Sequence, residues 1–441
     1  MTDDGELLSA DDARILALES SVLTGHTLKL MILAPGEPLD LSALRATVLS
    51  RLVDQPRALQ RVQGGGAGQP PRWVTAEDFD IAEHVRRRAG AECATTEDLR
   101  RVVSALMSEH LDRGRPLWTL DLIGPLADGS EAIAARMHHA MVDGIAGMRF
   151  LETILLDPHE GVEPGLAAPA SPAPASPAHE PPVPGASVPD PVPSAHISLP
   201  AVLAREFGQP GSRSPFDRRI SGARDLAFTV APLAGLKAIG ASRPHHATVN
   251  DVLLAAVAGG LRTWLGRHGA HLDLRAQVPV SLHHRDEDAA APGNHDSFIN
   301  VDLEIAAPDP LDRLDRISAR TRTEKQSGDA AMLYELFHAL GTIPTVDAIV
   351  HRVADSSREF SLAISNVPGP RVPVAVAGRR VERLFSSSEP GAHHALRVAA
   401  ISHADEIGIG FCTDPAAVPR VDALAEAVGE AYGELHRAAL G

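Results

Sequence analysis

Residues 136–147 read RMHHAMVDGIAG, and the interpretation of the whole chain starts from this stretch. Two adjacent histidines, His138 and His139, are followed by Asp143 and Gly144. The residues EAIAARMHH predict a strand, and GIAGMRFLETILL predicts a helix that begins near Asp143. The four residues are therefore expected at a rigid junction between a strand and a helix.

The chemistry of this stretch suits proton transfer. An imidazole is the side chain best matched to proton transfer near neutral pH, provided that a neighbour fixes its tautomer. A carboxylate on the next turn can orient the loop or pair with a cation, and a glycine permits a tight turn and the close approach of a substrate. Three further histidine pairs, at 245–246, 283–284 and 393–394, lack the following Asp-Gly and are interpreted as surface or loop histidines.

The length and composition are those of a globular protein with two lobes. The chain has 441 residues, of which 44% are apolar and 22% are charged. A net charge of -16 disfavours nucleic acid as a partner, whereas a membrane contact through a local apolar patch stays open. With only Cys93 and Cys412, no disulfide framework or zinc-ribbon spacing exists. The acidic N-terminus lacks the features of a signal peptide, and a cytoplasmic chain is expected.

A segment rich in proline and alanine divides the chain. Residues 163–196 read EPGLAAPASPAPASPAHEPPVPGASVPDPVPSAH, which predicts an extended or disordered linker over 161–215, between an N-terminal lobe at 1–160 and a C-terminal lobe at 216–441. Strands and helices mix in both lobes without a regular βαβ repeat, so an α+β fold is predicted. Segments such as TLKLMILA, LWTLDLI, FSLAISNV and the pair ALRVAAISH and EIGIGFCTD predict strands, while TTEDLRRVVSALMSEHL, TVNDVLLAAVAGGLRTWLGRHG and DALAEAVGEAYGELHRAA predict helices.

Other catalytic motifs are absent from the sequence. It contains no GxSxG nucleophile elbow, no HExxH zinc helix, no GxxxxGK[ST] phosphate loop and no GxGxxG after a strand. A metal role for His138, His139 and Asp143 is conceivable, but no second cluster has ligand spacing, so no metal is predicted.

Six segments together resemble the bacterial wax ester synthase/diacylglycerol acyltransferase family, part of the coenzyme A-dependent acyltransferase superfamily with the signature HHxxxDG. Besides that signature, they are LLSADDARILALES, RPLW, TVNDVLLAAVAGGLRTWL, PVSL followed by GN, and SNVPGP. The resemblance covers nearly the whole chain apart from the linker. It implies a two-lobed fold like that of chloramphenicol acetyltransferase, with an active-site tunnel between the lobes.

The resemblance also implies roles for individual residues. His139 would be the general base that takes the proton from an acceptor hydroxyl as its oxygen attacks the thioester of acyl-CoA. His138 would pack and position, and Asp143 and Gly144 would shape the site. Acyl-CoA would be a co-substrate, with no further cofactor, and the acceptor would be a diacylglycerol or a fatty alcohol. Peripheral association with a membrane or lipid inclusions is implied as well.

Five residues in the other matching segments are candidates for substrate binding or for the tunnel wall: Asn250, Asp251, Asn294, Ser365 and Asn366. For Asn250 and Asp251, capping the helix competes evenly with a substrate contact.

One position departs from the family pattern, because His283 follows PVSL where arginine is usual. The resemblance implies that this arginine pairs with Asp143, so either Arg285 replaces it or His283 is a weaker, pH-dependent partner.

Two alternatives to neutral-lipid synthesis remain. An acyltransferase or condensation enzyme could acylate a specialised metabolite, with a carrier-protein thioester as donor. A non-catalytic protein could bind acyl chains or coat lipid inclusions, although the intact HHxxxDG argues against it because such a protein has no need of a positioned imidazole.

Overall fold

The computed structural model describes residues 5–66, 69–88, 95–159, 214–267, 273–281, 296–327 and 360–441. Two large β-sheets with packed helices form within these ranges, which confirms the predicted two-lobed α+β fold. The predicted lobe boundaries stay a prediction. The linker predicted at 161–215 lies outside the described residues except for Ser214 and Pro215.

The first sheet has seven strands, and its central strands carry the histidine stretch. In spatial order the strands are Val85–Arg87 (β5), Trp118–Ile123 (β6), Glu131–His138 (β7), His26–Leu33 (β2), Arg379–Ser388 (β14), Val374–Val376 (β13) and Asp157–Pro158 (β8). All neighbours are antiparallel except β5 and β6. Strands β13 and β14 come from the C-terminal half of the chain, so this sheet is completed by residues far from its other strands in sequence.

The second sheet has six strands, all from the C-terminal half. In spatial order they are Asp296–Asp302 (β11), Arg275–Ser281 (β10), Leu362–Val367 (β12), Leu396–His403 (β15), Glu406–Thr413 (β16) and Asp225–Pro232 (β9). The pairs β10–β12 and β12–β15 are parallel, and the others are antiparallel. A small third sheet contains Glu6–Leu7 (β1), Arg72–Thr75 (β4) and Gln60–Gln63 (β3).

Nine α-helices cover the sheets within the described ranges. They are Ala10–Leu18 (α1), Leu41–Arg51 (α2), Ile81–His84 (α3), Thr96–Ser108 (α4), Gly144–Ile154 (α5), Leu233–Ser242 (α6), Val249–Arg267 (α7), Pro310–Ser327 (α8) and Val421–Leu440 (α9). Helix α4 begins with a cap at Thr95, whose hydroxyl accepts from the Asp98 amide while the Asp98 carboxylate accepts from the Thr95 amide. Helix α7 is buried along most of its length against the second sheet and α9, because its residues are almost all small or apolar.

The two large sheets touch where β16 crosses β14. A Cβ atom on Gly408 would lie 2.0 Å from the carbonyl oxygen of Leu384, and one on Gly410 would lie 2.1 Å from that of Ser386. Any side chain at either glycine would push the sheets apart. The backbones of the two sheets are therefore in direct contact beside the centre of the first sheet.

Candidate active site

The histidine stretch leaves the first sheet at the end of β7, one of its interior strands. β7 ends at His138, which lies opposite His26 on β2, and α5 begins at Gly144. The predicted strand-to-helix junction is thus present. Both His26 and His138 are buried, and they lie beneath the loop that carries His139.

Gly25 anchors this loop from the strand next to it. The amide of His139 donates to the carbonyl oxygen of Gly25 at 2.8 Å. Gly25 has a φ of +70°, and a Cβ atom there would lie only 2.2 Å from Nε2 of His138. Both the backbone conformation and the lack of space therefore require glycine at this position.

Glu389 holds Gly25 from the C-terminal half of the chain. Its carboxylate accepts from the Thr24 amide at 2.8 Å, from the Thr24 hydroxyl at 3.0 Å and from the Gly25 amide at 2.5 Å. The buried guanidinium of Arg224 lies 3.6 Å from the same carboxylate. Because charge-assisted bonds of this kind are strong, the four residues form a rigid support for the loop.

His138 serves the local structure. Its Nδ1 accepts from the Ala140 amide at 3.0 Å, so the proton of the neutral ring is assigned to Nε2. That Nε2 faces Gly25, is enclosed, and has no hydrogen-bond partner in the described part of the chain; the nearest carboxylate oxygen is that of Glu19, at 3.9 Å. Burial lowers the pKa of His138 to about 4, so the ring is neutral.

His139 is the half-buried member of the pair, and its ring has no hydrogen bond to another side chain among the residues described. Desolvation, followed by the electrostatic effects of Arg397, His138 and Lys29, lowers its pKa to about 3. The ring is therefore neutral and able to accept a proton.

Asp143 and Gly144 begin α5. The Asp143 carboxylate caps the helix by accepting from the Ala146 amide at 2.6 Å. Gly144 does not adopt a positive φ; instead, a Cβ atom there would lie 3.0 Å from a methyl group of Val367 on β12. Gly144 lets α5 approach the second sheet closely, whereas Gly25 is the glycine of this site that has a positive φ. The expected partners of Asp143, His283 and Arg285, lie outside the described residues.

The predicted tunnel residues fall into three groups. Asp251 lies within the second lobe, where its carboxylate accepts from the Thr248 amide at 2.8 Å and the Thr321 hydroxyl at 2.6 Å and so joins α7 to α8. Half-buried Asn250 lies beside it at the start of α7. Ser365 is half-buried and Asn366 is exposed near the end of β12, whereas Asn294 lies outside the described residues. A substrate contact for these residues stays a prediction.

Two cations near His139 were missed in the sequence. Lys29 on β2 is 1% exposed, and its Nζ donates to the Ser386 hydroxyl at 2.6 Å. Burial, with Arg397 as the next cause, lowers the pKa of Lys29 to about 8. Arg397 lies on β15, between Leu396 and Val398 of the second core, so its side chain faces the first sheet. A lone lysine inside the apolar strand TLKLMIL is the one sequence signal that could have been noticed.

Neither a membrane-spanning helix nor a metal cluster occurs in the described part of the chain. In the described ranges, no helix combines the length and the apolarity needed to cross a bilayer. Those ranges also contain no group of three or more His, Cys, Asp and Glu side chains placed to hold a metal ion.

Two family models together match most of the chain. A model of the wax ester synthase/diacylglycerol acyltransferase catalytic domain matches residues 8–253, and a model of the C-terminal domain of the same proteins matches residues 292–436. A probable diacylglycerol O-acyltransferase of Mycobacterium tuberculosis, tgs2, is 30% identical over 401 residues, which cover 85% of each chain. The O-acyltransferase WSD of Acinetobacter baylyi is 28% identical over 374 residues, which cover 80% of each chain.

Solved structures agree on the fold. The wax ester synthase/diacylglycerol acyltransferase from Marinobacter aquaeolei VT8 superposes with a TM-score of 0.70 at 23% identity, over 98% of this chain and 99% of that one. The first condensation domain of the CDA synthetase superposes with a TM-score of 0.59 at 15% identity, over 99% of this chain and 96% of that one. Both likenesses concern the architecture of the two lobes.

Proposed function

The chain belongs to the wax ester synthase/diacylglycerol acyltransferase family, and on that premise we propose that it transfers a fatty acyl group from acyl-CoA to the hydroxyl group of a diacylglycerol or a long-chain alcohol. It is an acyltransferase, and the proposal concerns its donor, its acceptor and its general base. The observation that carries the proposal is His139, a neutral, half-buried imidazole that directly follows β7 and has no hydrogen bond to a side chain among the described residues.

The reaction needs a base and no covalent intermediate. His139 accepts the proton of the acceptor hydroxyl while the hydroxyl oxygen attacks the thioester carbonyl carbon. The tetrahedral intermediate then expels the thiolate of coenzyme A, which takes the proton from the imidazolium. An ester and free coenzyme A result, and His139 returns to its neutral form. General-base catalysis of this kind contributes about 10²- to 10⁴-fold to the rate.

The surrounding residues keep the imidazole in place. The bond from the His139 amide to Gly25, the carboxylate of Glu389 behind Gly25 and the cap formed by Asp143 fix both ends of the loop. His138 fills the space beneath it with a neutral ring. These four residues are proposed to position the base, because a displacement of about 1 Å at a reacting group costs about 10²-fold.

The acceptor class suggests where the protein works. Diacylglycerols and long-chain alcohols reside in membranes or lipid inclusions, so we propose peripheral contact with such a surface. Two exposed apolar side chains offer such a contact: Leu49 near the end of α2 and Val53 in the 3₁₀ turn that follows, with 48% and 76% of their surfaces exposed.

The test is the release of free coenzyme A from palmitoyl-CoA by the purified protein. Release that requires hexadecanol or a diacylglycerol and falls at least about 10²-fold in His139→Ala would support the proposal. His436→Ala, at a half-buried histidine of α9, is the matched control and should retain wild-type release. Release that persists in His139→Ala would refute the assignment of the base, and a lack of release with both alcohols would refute the acceptor class.

A further inference from the structure

Glu19 provides the carboxylate that lies nearest to the buried ring of His138. Its Oε2 is 3.9 Å from Nε2 of His138, and the two side chains are 8% and 1% exposed. That Nε2 carries the proton of the neutral ring, yet it has no hydrogen-bond partner in the described part of the chain. Because a buried N–H without an acceptor costs free energy, a partner for this atom is expected.

Arg113 holds Glu19 in this place. Its Nε donates to the same Oε2 of Glu19 at 2.5 Å, and its Nη2 donates to the carbonyl oxygen of Leu16 at 2.9 Å. Glu19 directly follows α1, and its own amide donates to that carbonyl oxygen as well. The carboxylate is therefore anchored beside His138 both by its own segment of the chain and by the guanidinium.

The pair formed by Glu19 and Arg113 suits a neutral histidine. Burial, followed by the electrostatic effects of Arg113 and His110, lowers the pKa of His138 to about 4. The guanidinium offsets the charge of the carboxylate, so Glu19 can accept the Nε2 proton without drawing a second proton onto the ring.

The tautomer of His138 matters for His139 because the two residues share a tight turn. Nδ1 of His138 accepts from the Ala140 amide, one residue after His139, and the carbonyl oxygen of His138 accepts from the amides of Met141 and Val142. A proton on Nδ1 would turn that nitrogen into a donor facing the Ala140 amide, and the turn would have to open. A defined tautomer of His138 therefore fixes the backbone on both sides of the proposed base.

We propose that Glu19 is a positioning residue of the base: it accepts the Nε2 proton of His138 and so holds His139 in the orientation that acyl transfer requires. The inference rests on the proposed function and adds to it a residue outside the HHxxxDG signature. The separation of 3.9 Å exceeds a hydrogen bond by about 1 Å, and hydrogen bonds of catalytic sites are often long in the free protein and shorten when substrate binds. A small rotation of the Glu19 side chain would close the gap.

His26 is the other buried polar group beside His138. It lies opposite His138 on β2, and neither of its ring nitrogens has a hydrogen bond among the residues described. Burial holds the pKa of His26 well below its ordinary value, so this ring is neutral as well. Because a carboxylate is a stronger acceptor than a neutral imidazole, Glu19 is the preferred partner of Nε2.

Two substitutions of nearly equal size test the contact. Glu19→Met removes the acceptor, whereas Glu19→Gln keeps an amide oxygen, which Arg113 holds in the place of Oε2 because a guanidinium only donates. Release of coenzyme A from palmitoyl-CoA is measured with the purified proteins and the alcohol that the wild type accepts. We expect kcat to fall about tenfold in Glu19→Met, as the loss of a hydrogen bond to a charged group would give, and less than about threefold in Glu19→Gln. The KM for palmitoyl-CoA should change by less than about threefold in both variants, because Glu19 acts on the orientation of the base.

Glu304→Met is the matched control. The side chain of Glu304 is 12% exposed and pairs with Arg320 in the second lobe, so its loss should lower the urea midpoint much as the loss of Glu19 does, without lowering kcat. Circular dichroism and urea unfolding of each variant separate a loss of structure from a loss of rate.

A double substitution tests whether Glu19 acts through His138. In His138→Asn the side-chain oxygen can still accept from the Ala140 amide, but no atom replaces Nε2. Glu19→Met should therefore cause no further loss of kcat when it is added to His138→Asn.

A measurement on the wild-type protein does not depend on the folding of any variant. Nitrogen–proton correlation spectra of ¹⁵N-labelled histidine rings, with His138 assigned by its absence from His138→Asn, should show a proton on Nε2 and none on Nδ1 at neutral pH.

The outcomes separate this inference from the proposed function. Equal kcat values for Glu19→Met and Glu19→Gln would overturn the inference and leave the acyltransferase proposal in place. So would an undiminished effect of Glu19→Met in the His138→Asn protein, or a proton on Nδ1 of His138. A lack of release with both hexadecanol and a diacylglycerol would refute the proposed function itself, and the spectra of the histidine rings would still decide the tautomer of His138.

Discussion

Replacing Gly25 with alanine tests the central geometric claim about the site. The added Cβ atom would lie 2.2 Å from Nε2 of His138, and ordinary contact begins near 3.4 Å, so the two groups must separate by about 1.2 Å. Because the His139 amide bonds to the Gly25 carbonyl oxygen, the displacement reaches the proposed base. A shift of this size predicts a fall in kcat of about 10²-fold.

The same substitution has a separate cost in stability. At a φ of +70° an alanine is disfavoured by about 1–2 kcal/mol, and forced overpacking adds about 1–3 kcal/mol. Gly378 provides a matched control, because its φ is +79° but no atom lies within 4 Å of an added Cβ. Gly378→Ala should therefore lose only the first 1–2 kcal/mol and keep its activity.

The assay combines coenzyme A release with urea unfolding for both alanine variants. Gly25→Ala should lose more stability than Gly378→Ala and should lose activity under conditions in which it is fully folded. A folded Gly25→Ala protein with wild-type kcat would refute the claim that this glycine sets the position of the base.

Three further predictions concern Asp143, His394 and Cys412. Asp143→Ala should lower the free energy of unfolding by about 1 kcal/mol because the hydrogen bond from the Ala146 amide is lost, whereas the side chain in Asp143→Asn should still accept this bond. Equal urea midpoints for the two variants would argue against the cap. Burial lowers the pKa of His394 to about 4, so only the unfolded chain binds a proton there as the pH falls below about 6.5. The contribution of this histidine to the free energy of unfolding is complete above that pH and should fall by about 1.4 kcal/mol per pH unit below it. His394→Phe should remove this contribution from the slope of the free energy of unfolding against pH between about pH 6 and 4.5, and an unaltered slope would contradict the assignment. Burial raises the pKa of the Cys412 thiol to about 12, so a Cys93→Ser protein should react with a thiol reagent at pH 8 only when unfolded, and rapid labelling of the folded protein would show that the thiol is accessible.

The parts of the fold with local signals could be predicted from the sequence. The capping box at Thr95 and Asp98 marks the start of α4, and the apolar residues of β2 and β7 and of the hairpin β15–β16 mark strands. The junction at Asp143 follows from the change from a strand pattern to a helical one. In each case the residues that determine the element lie within about one turn or one strand of each other.

The parts that depend on distant partners could not be predicted. Strand β14 lies beside β2 although more than 340 residues separate them, and its sequence RRVERLFSSS has no regular alternation. The hydrogen bonds from Thr24 and Gly25 to Glu389 span 365 and 364 positions in sequence, respectively. Lys29 and Arg397 are likewise brought together by the contact of two sheets, which no local pattern of residues encodes.

The long separation between Gly25 and Glu389 has a consequence for the nascent chain. The ribosome releases the HHxxxDG stretch long before it has synthesised β14 and Glu389, so an emerging chain lacks both the neighbour of β2 and the support of the loop. The first sheet cannot be completed until β14 has been synthesised, and the base is not positioned until more than four-fifths of the chain has been made. Premature termination after residue 144 and before residue 389 should therefore yield fragments that carry the signature in full and cannot use it.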